Sequence, residues 1–412
     1  MTAFNPGDIN VNELVIGQFD YTKSFVSFDV YESIYTPGIV ANITVLDTAD
    51  YLGKQKLSGG EEISLSFNHP GGQAAEYKFV VNSIQSTSSP PGQKSKSYVI
   101  EAISKEILNS KDKYISKSYD KKEFSKMVED IFKEFLKSSK KLNIEETKGM
   151  QNYVVQRQKP FAAIDSIRRR SVSPTSKSST YIFFENQDGY HFTTLEKIFK
   201  DRKIVKTLVQ NSATGSNFFA AQGGNIISAE IPQQMDIGKS TSSGVLNSEY
   251  NTFNMFTLEY KRKQNNKKPE DEAKKEGVDN RIKKSYISAH DSEPGYVAVL
   301  PVSNEKKVGL GGKSYIPEQT PVQKAYADSL ASGVLKLSVP GDSRLKAGAM
   351  VTANLLNKNE FTTPQSLDNF LSGDFLITAL RHKISSPGER PRYTCSLECM
   401  KGGYQNSVNE AG

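Results

Sequence analysis

Between Ser24 and Ser104 apolar and polar residues alternate in short runs. SFVSFDVYESI (24–34) and GIVANITVLD (38–47) flank a turn carrying Pro37 and Gly38. In EEISLSF (61–67), Ile63, Leu65 and Phe67 share one face while Ser64 and Ser66 share the other. YKFVVNSI (77–84) and SYVIEAIS (97–104) continue the pattern, joined by a loop of turn formers. Five or more short antiparallel strands with one buried face close most easily into a small barrel or sandwich.

The period changes near residue 119. Phe124, Met127, Val128, Ile131, Phe132, Phe135 and Leu136 recur at helical spacing, and Asp120 with Glu123 predicts a capping-box start. KPFAAIDSIRRR (159–170) predicts a second helix with Pro160 in its first turn, its terminal arginines complementing the helix dipole. STYIFFENQDGYHFTTLEKIF (179–199) reads as a hairpin turning at Asn186–Gly189. Strands are expected at NIISAEI (225–231) and NTFNMFTLEY (251–260), and a helix at TPVQKAYADSLAS (320–332). VLKLSVPGDSRLKAGAMVTANLL (334–356) predicts a strand, a turn at Pro340–Asp342 and a second strand; GDFLITALRHKIS (373–385) and YTCSLECM (393–400) close the series.

Three of these late strands echo three early ones in order. Gly60-Glu-Glu-Ile63-Ser64-Leu65-Ser66-Phe67 is answered by Gly348-Ala-Met-Val351-Thr352-Ala353-Asn354-Leu355. YKFVVNSIQS (77–86) is answered by GDFLITALRH (373–382), and KSYVIEAIS (96–104) by RYTCSLECM (392–400). The offsets are 288 and 296 residues for the first two and, with Tyr98 matched to Tyr393, 295 for the third, with the slack confined to loops. This predicts a duplicated β-module. Three chains carrying two copies each would present six similar surfaces around an axis, and closed rings of heterologous contacts build tubes.

The expected fold class is therefore β-rich α+β and multi-domain: two similar small antiparallel β-barrel, tube-like domains plus α+β regions. The expected boundaries are 1–108 for the first barrel domain and 109–215 for an α+β domain. The second barrel takes 216–260 and 320–405, interrupted by a charged insertion and small accessory region at 261–319; 406–412 is a tail.

Composition adds limits. The chain has 412 residues, with 21 Phe, 19 Tyr and no Trp, a bias that suits pleated sheets. Two Cys rule out a disulfide framework and fit a reducing cytosol. No apolar run approaches the ~20 residues that span a bilayer, and MTAFNPGDIN lacks the regions of a secretory signal. The net charge of +7 is spread thinly, and the densest run, 261–284, mixes both signs as a solvated loop does.

Chemistry is hard to find. Gly312-Lys313-Ser314 and Gly238-Lys239-Ser240 lack the glycine of a phosphate loop, with Lys307 and Gln233 in its place. His69, His191, His290 and His382 are far apart, without metal-ligand spacing. Cys395 and Cys399 on one strand would stand ~13 Å apart, too far to bridge, and read as small core residues. Glu61/Glu62 and Glu145/Glu146 are adjacent and would face opposite ways. No catalytic, cofactor-binding or metal residue is expected, and the pattern favours a structural protein over an enzyme.

Four stretches carry a family resemblance: LDTADYLGKQKLSGGEEISLSF, KPFAAIDSIRRR, FFENQDGYHFTTLEKIF, and the C-terminal run from LKLSVPGDSRLKAGAMVTANLL to YTCSLECMKGGY. Over roughly 25–205 and 320–404 the chain resembles the central baseplate hub of contractile-tailed phages, a family similar to the N-terminal part of type VI secretion spike proteins. The resemblance implies a homotrimer whose two tube-like barrels per chain form a pseudo-six-fold ring. That ring joins the tail tube hexamer to the central spike trimer, contacts tape-measure and baseplate wedge proteins, and lets DNA pass without specific binding. It implies a virion component assembled in host cytoplasm, with no membrane anchor, no cofactor and no catalytic residue. The lysine-rich loop at 261–284 departs from the family, and the spike needle would be a separate protein. Competing readings are a spike head or tail-tube component, a small-barrel nucleic-acid-binding protein, and a tail-associated cell-wall hydrolase.

Overall fold

A computed structural model of the chain describes residues 7–68, 74–88, 95–175, 179–201, 203–210, 225–233, 247–254, 258–266, 296–302, 333–356, 371–386 and 391–401, with single positions 238, 242 and 368. The first unit consists of β1 (Asn10–Ile16), β2 (Phe19–Asp20), β3 (Phe25–Ser33), β4 (Val40–Asp47), β5 (Glu62–Asn68), β6 (Ala74–Ser88) and β7 (Lys96–Ile103). Its antiparallel order is β3-β4-β7-β6-β5-β1-β2. The alternation dictates which face is buried: Ala41, Ile43 and Val45 of β4 are fully covered, while Asn42 and Thr44 between them stay half-buried. Two short helices, α1 (Tyr51–Gln55) and α2 (Lys105–Asp112), border this unit.

The central region follows. β8 (Ile115–Glu123) pairs with β10 (Met150–Gln158), and a second sheet holds β9 (Leu142–Ile144), β11 (Tyr181–Asn186) and β12 (Gly189–Thr194). Helix α3 (Phe124–Asp130) continues as a π-helical turn over Ile131–Leu136, and its apolar stripe packs against α4 (Pro160–Arg168) and β12. Each fully buried large side chain here, such as Ile131 or Phe192, contributes roughly 2 kcal/mol. Pro160 occupies the first turn of α4 as expected, and Arg168 and Arg169 both pair with Asp165.

The capping box is not there. Asp120 lies within β8, and the cap residue of α3 is Glu123, whose side chain makes no capping bond. The backbone N–H of Ser125 donates instead to Thr147 Oγ1 at 2.9 Å, so a distant loop satisfies the helix start. The hairpin turns at Asn186–Gly189 as expected, but its last stretch is helix α5 (Leu195–Asp201). Leu195, Ile198 and Phe199, at helical spacing, pack into one cluster there.

The C-terminal half contains β13 (Ile204–Val209), β14 (Ser228–Gln233), β15 (Asn247–Asn254), β16 (Glu259–Asn266), β17 (Tyr296–Val302), β18 (Val334–Pro340), β19 (Met350–Asn354), β20 (Gly373–Ser385) and β21 (Arg392–Lys401). Strands β15, β16 and β17 form a separate three-stranded sheet. The single strand expected over 251–260 is the end of β15 and the start of β16, which face each other through Phe253 and Tyr260. The charged stretch opens with strand residues 261–266; its remainder, the helix expected at 320–332 and residues 312–314 and 239–240 lie outside the described residues.

The other strands of this half join the first unit. The result is a 13-stranded sheet with the main path β14-β18-β21-β20-β3-β4-β7-β6-β5-β1-β2, plus β19 beside β20 and β13 beside β19. Two closed barrels were expected, yet among the described residues neither unit closes on itself. The reason is β3: a barrel would need this edge strand within its own unit, whereas it pairs with β20 of the other. One continuous core underlies both units, where Phe67 meets Tyr393 at 5.6 Å and His382 at 6.3 Å between ring centroids.

Candidate functional site: a strand junction and a polar sheet face

The duplication read in the sequence has a structural counterpart. β3-β4-β7-β6-β5 of the first unit and β14-β18-β21-β20-β19 of the second lie in the same neighbour order. The registers agree at the strand centres: Ile63 faces Phe79 as Val351 faces Phe375, and Val40 faces Ile103 as Val334 faces Met400. A bulge interrupts β6 between Val81 and Ser83, and another interrupts β20 between Ile377 and Ala379. Gly60 N–H donates to Val81 O at 2.8 Å, and Gly348 N–H donates to Ile377 O at 2.9 Å. Both glycines have positive φ, +89° and +83°, where other residues are strained.

The last strand needs a correction. Ile103 corresponds to Met400, an offset of 400 − 103 = 297 rather than 295 residues. A slide of two keeps every side chain on its face, so alternation alone is blind to it. The outermost strands also differ, since β1 runs antiparallel to β5 and β13 parallel to β19.

The units meet where Ser27–Ser33 of β3 pair with Ala379–Ser385 of β20. On the polar side Arg381 forks onto Asp29, with Nε to Oδ1 3.0 Å and Nη2 to Oδ2 2.9 Å, and lies over the Tyr31 ring. On the buried side Glu32 accepts from Tyr77 OH at 3.0 Å, Gln187 N–H at 3.1 Å and Ala347 N–H at 2.9 Å. One carboxylate thus ties together the first unit, the tip of the β11–β12 hairpin and the second unit. Burial raises its pKa to about 7, although its three donors and Glu185 act on it as well.

The hairpin is wedged beside this junction. Asn186 Nδ2 donates to Ala347 O at 2.9 Å, and Lys346 pairs with Asp188 at 2.6 Å. Lys140 bridges Glu185 at 2.6 Å and Glu106 at 2.9 Å. Burial pulls the Lys140 ammonium down, but the two carboxylates outweigh it and hold its pKa above the ordinary lysine value.

The face opposite the core is polar. From β14 across to β7 it carries Asp29, Glu101, Glu230 and Glu398 against Lys336, Arg381, Lys383 and Arg392, four charges of each sign. Ser27, Ser33, Asn42, Thr44, Ser338, Thr394 and Ser396 fill the positions between them. A shallow groove of about 460 Å³ crosses it between β3 and β14, so the polar face is concave there.

The groups considered for chemistry are dispersed. His382 is buried, with Nδ1 2.7 Å from Tyr393 OH and 3.4 Å from Cys395 Sγ, and burial lowers its pKa to about 3. His191 stacks on Phe184, and burial takes its pKa down to about 4. His69 and His290 lie outside the described residues. Cys395 and Cys399 are free, buried strand residues, and burial pushes the Cys395 thiol up to about 12. Glu145 is buried and bonded to Thr193 and Thr194, while Glu146 beside it is exposed. Among the described residues no group of three or more His, Cys, Asp or Glu could hold a metal ion, and no helix is long and apolar enough to cross a membrane. The Glu32 node escaped sequence reading because its donors come from residues 77, 187 and 347.

No family model and no curated protein matches the chain. Solved structures do. A tail protein from Neisseria meningitidis MC58 matches with a TM-score of 0.61 at 10% identity, over 96% of this chain and 98% of that one. The 43 kDa tail protein of prophage MuSo2 from Shewanella oneidensis matches with a TM-score of 0.58 at 9% identity, over 96% and 99%. A fainter likeness, TM-score 0.47 at 8% identity over 97% and 79%, is to the E. coli c3393 protein, a component of the type VI secretion system. The chain shares its fold along nearly its whole length with phage tail proteins, as the hub resemblance in its sequence implies.

Proposed function

We propose that this protein is the structural baseplate hub of a contractile phage tail. It acts as a trimeric adapter between the six-fold tail tube and the three-fold central spike, in the virion. The observation that carries this reading is the repeated five-strand order joined edge to edge at β3 and β20. A chain that already links two like modules head to tail is one third of a ring of six that three chains complete.

The polar face supports a conduit. With four charges of each sign it offers a passing polyanion no net basic surface, as a channel for DNA and tape-measure protein requires. The role is geometric and non-enzymatic, with contacts distributed over rims and sheet edges to tube, spike and wedge proteins.

Light scattering of the purified chain, alone and with its spike and tube neighbours, tests the reading. A trimer that captures a separate spike trimer is expected. A single-subunit mass even beside those neighbours overturns it. Unaided growth into long tubes would mark a tail-tube component instead, and clearing on a cell-wall zymogram would mark a hydrolase.

A further inference from the structure

The in-chain junction predicts its own continuation. β3 uses its outer edge to pair with the second half of β20, and Ile34 N–H to Thr378 O (2.9 Å) and Ser386 N–H to Val26 O (2.8 Å) extend the ladder at both ends. The counterpart of β3 in the second unit is β14, because Ser27 and Asp29 face β4 as Ser228 and Glu230 face β18. The counterpart of β20 is β6, with matching register and bulge through Gln85; β6 then shifts by one more residue, so that Ser88 faces Ser97 as Lys383 faces Thr394. Within one chain these two counterparts never meet. β14 is the last strand of the sheet path, and among the described residues Ser83–Ser88 of β6 pair on one side alone, with β7.

We propose that the outer edge of β14 in one copy pairs antiparallel with Ser83–Ser88 of β6 in the next copy, in the register that β3 keeps on β20. The occupant of each edge is a second copy of this chain. The proposal rests on the ring reading above and gives it a contact. Carried over, the Lys383–Asp29 pair becomes Ser88 opposite Glu230, and the Arg381–Tyr31 pair becomes Gln85 opposite Gln233.

The backbone suits this arrangement. Ile34 and Val26 aim their polar groups at β20, so by alternation even-numbered β3 residues do so and odd ones face β4. Pro232 falls in the one-residue shift between Glu230 and Gln233 of β14, and a proline is tolerated at a bulge on an edge strand. Gln85 and Glu230 stand where Arg381 and Asp29 stand in the chain's own junction, and an amide can donate to a carboxylate there. An exposed unpaired edge is an aggregation hazard, and a partner strand removes it.

A disulfide scan of the full chain decides the matter. In the proposed register Ser88 and Glu230 form a non-hydrogen-bonded pair, with Cα atoms roughly 4.5–5.5 Å apart, within reach of a disulfide. Oxidised Ser88→Cys/Glu230→Cys protein should run as a covalent band of three chains that reductant returns to one. Either single variant, and the out-of-register pair Ser88→Cys/Ser228→Cys, should stay mainly at one chain. A trimer by light scattering without the cross-link overturns this junction and leaves the ring standing. A single-chain mass throughout overturns both. A cross-link within one chain shows that its own segments cover the edge, and also overturns the proposal. An unending ladder keeps the strand contact and overturns the closed ring.

Discussion

Arg381 on β20 and Asp29 on β3 face each other as a two-pronged ion pair, 352 positions apart in sequence, at the junction that unites the two ends of the chain. The pair is partly exposed, 39% and 16%, so solvent screens it. Arg381→Ala should cost about 1 kcal/mol in chemical denaturation, and Arg381→Lys should recover only part, because an ammonium cannot fork. A denaturation midpoint unchanged in Arg381→Ala would show that the strand ladder alone holds the junction.

Gly60 and Gly348 occupy equivalent places with different surroundings. A Cβ on Gly60 meets nothing within 4 Å, whereas one on Gly348 lies 2.6 Å from the Phe184 ring. Both positive-φ sites strain alanine by about 1 kcal/mol. Gly348→Ala should therefore be distinctly more destabilising than Gly60→Ala in thermal unfolding. Equal losses would mean that Phe184 yields without cost.

Glu32 anchors three segments through three donors. Glu32→Ala strands buried N–H groups and should cost on the order of 3–5 kcal/mol, with Glu32→Gln intermediate because one acceptor oxygen survives. Differential scanning calorimetry orders the variants. An alanine variant as stable as its parent would remove the node from the account of how the units hold together.

Acid and base act oppositely on two buried groups. Glu32 has a folded pKa raised to about 7, so its contribution is complete below about 4.5 and is lost as pH climbs to 7. His382 has a folded pKa lowered to about 3, so its contribution is complete above 6.5 and is lost as pH falls towards 3. Denaturation across pH 3–8 should show a shallower acid loss in His382→Gln and a shallower loss between pH 4.5 and 7 in Glu32→Gln. Slopes identical to the parent would assign the pH dependence to other groups.

Local pattern in the sequence determined strands β3 to β7, β14 and β18 to β21, the helix opened by Pro160, the turn at Asn186–Gly189 and the ordered recurrence of three strands, but not β1, β2 or β13. These are short-range properties: a period of two or of 3.6, and residues suited to one backbone conformation. What only the tertiary structure decided are relations between distant residues. Thr147 rather than Asp120 serves the start of α3, the last repeated strand is matched two residues further along, and β3 leaves its own unit to pair with β20. Backbone edges are chemically alike whatever their side chains, so a one-dimensional pattern shows that a strand has an edge but not which strand will cover it.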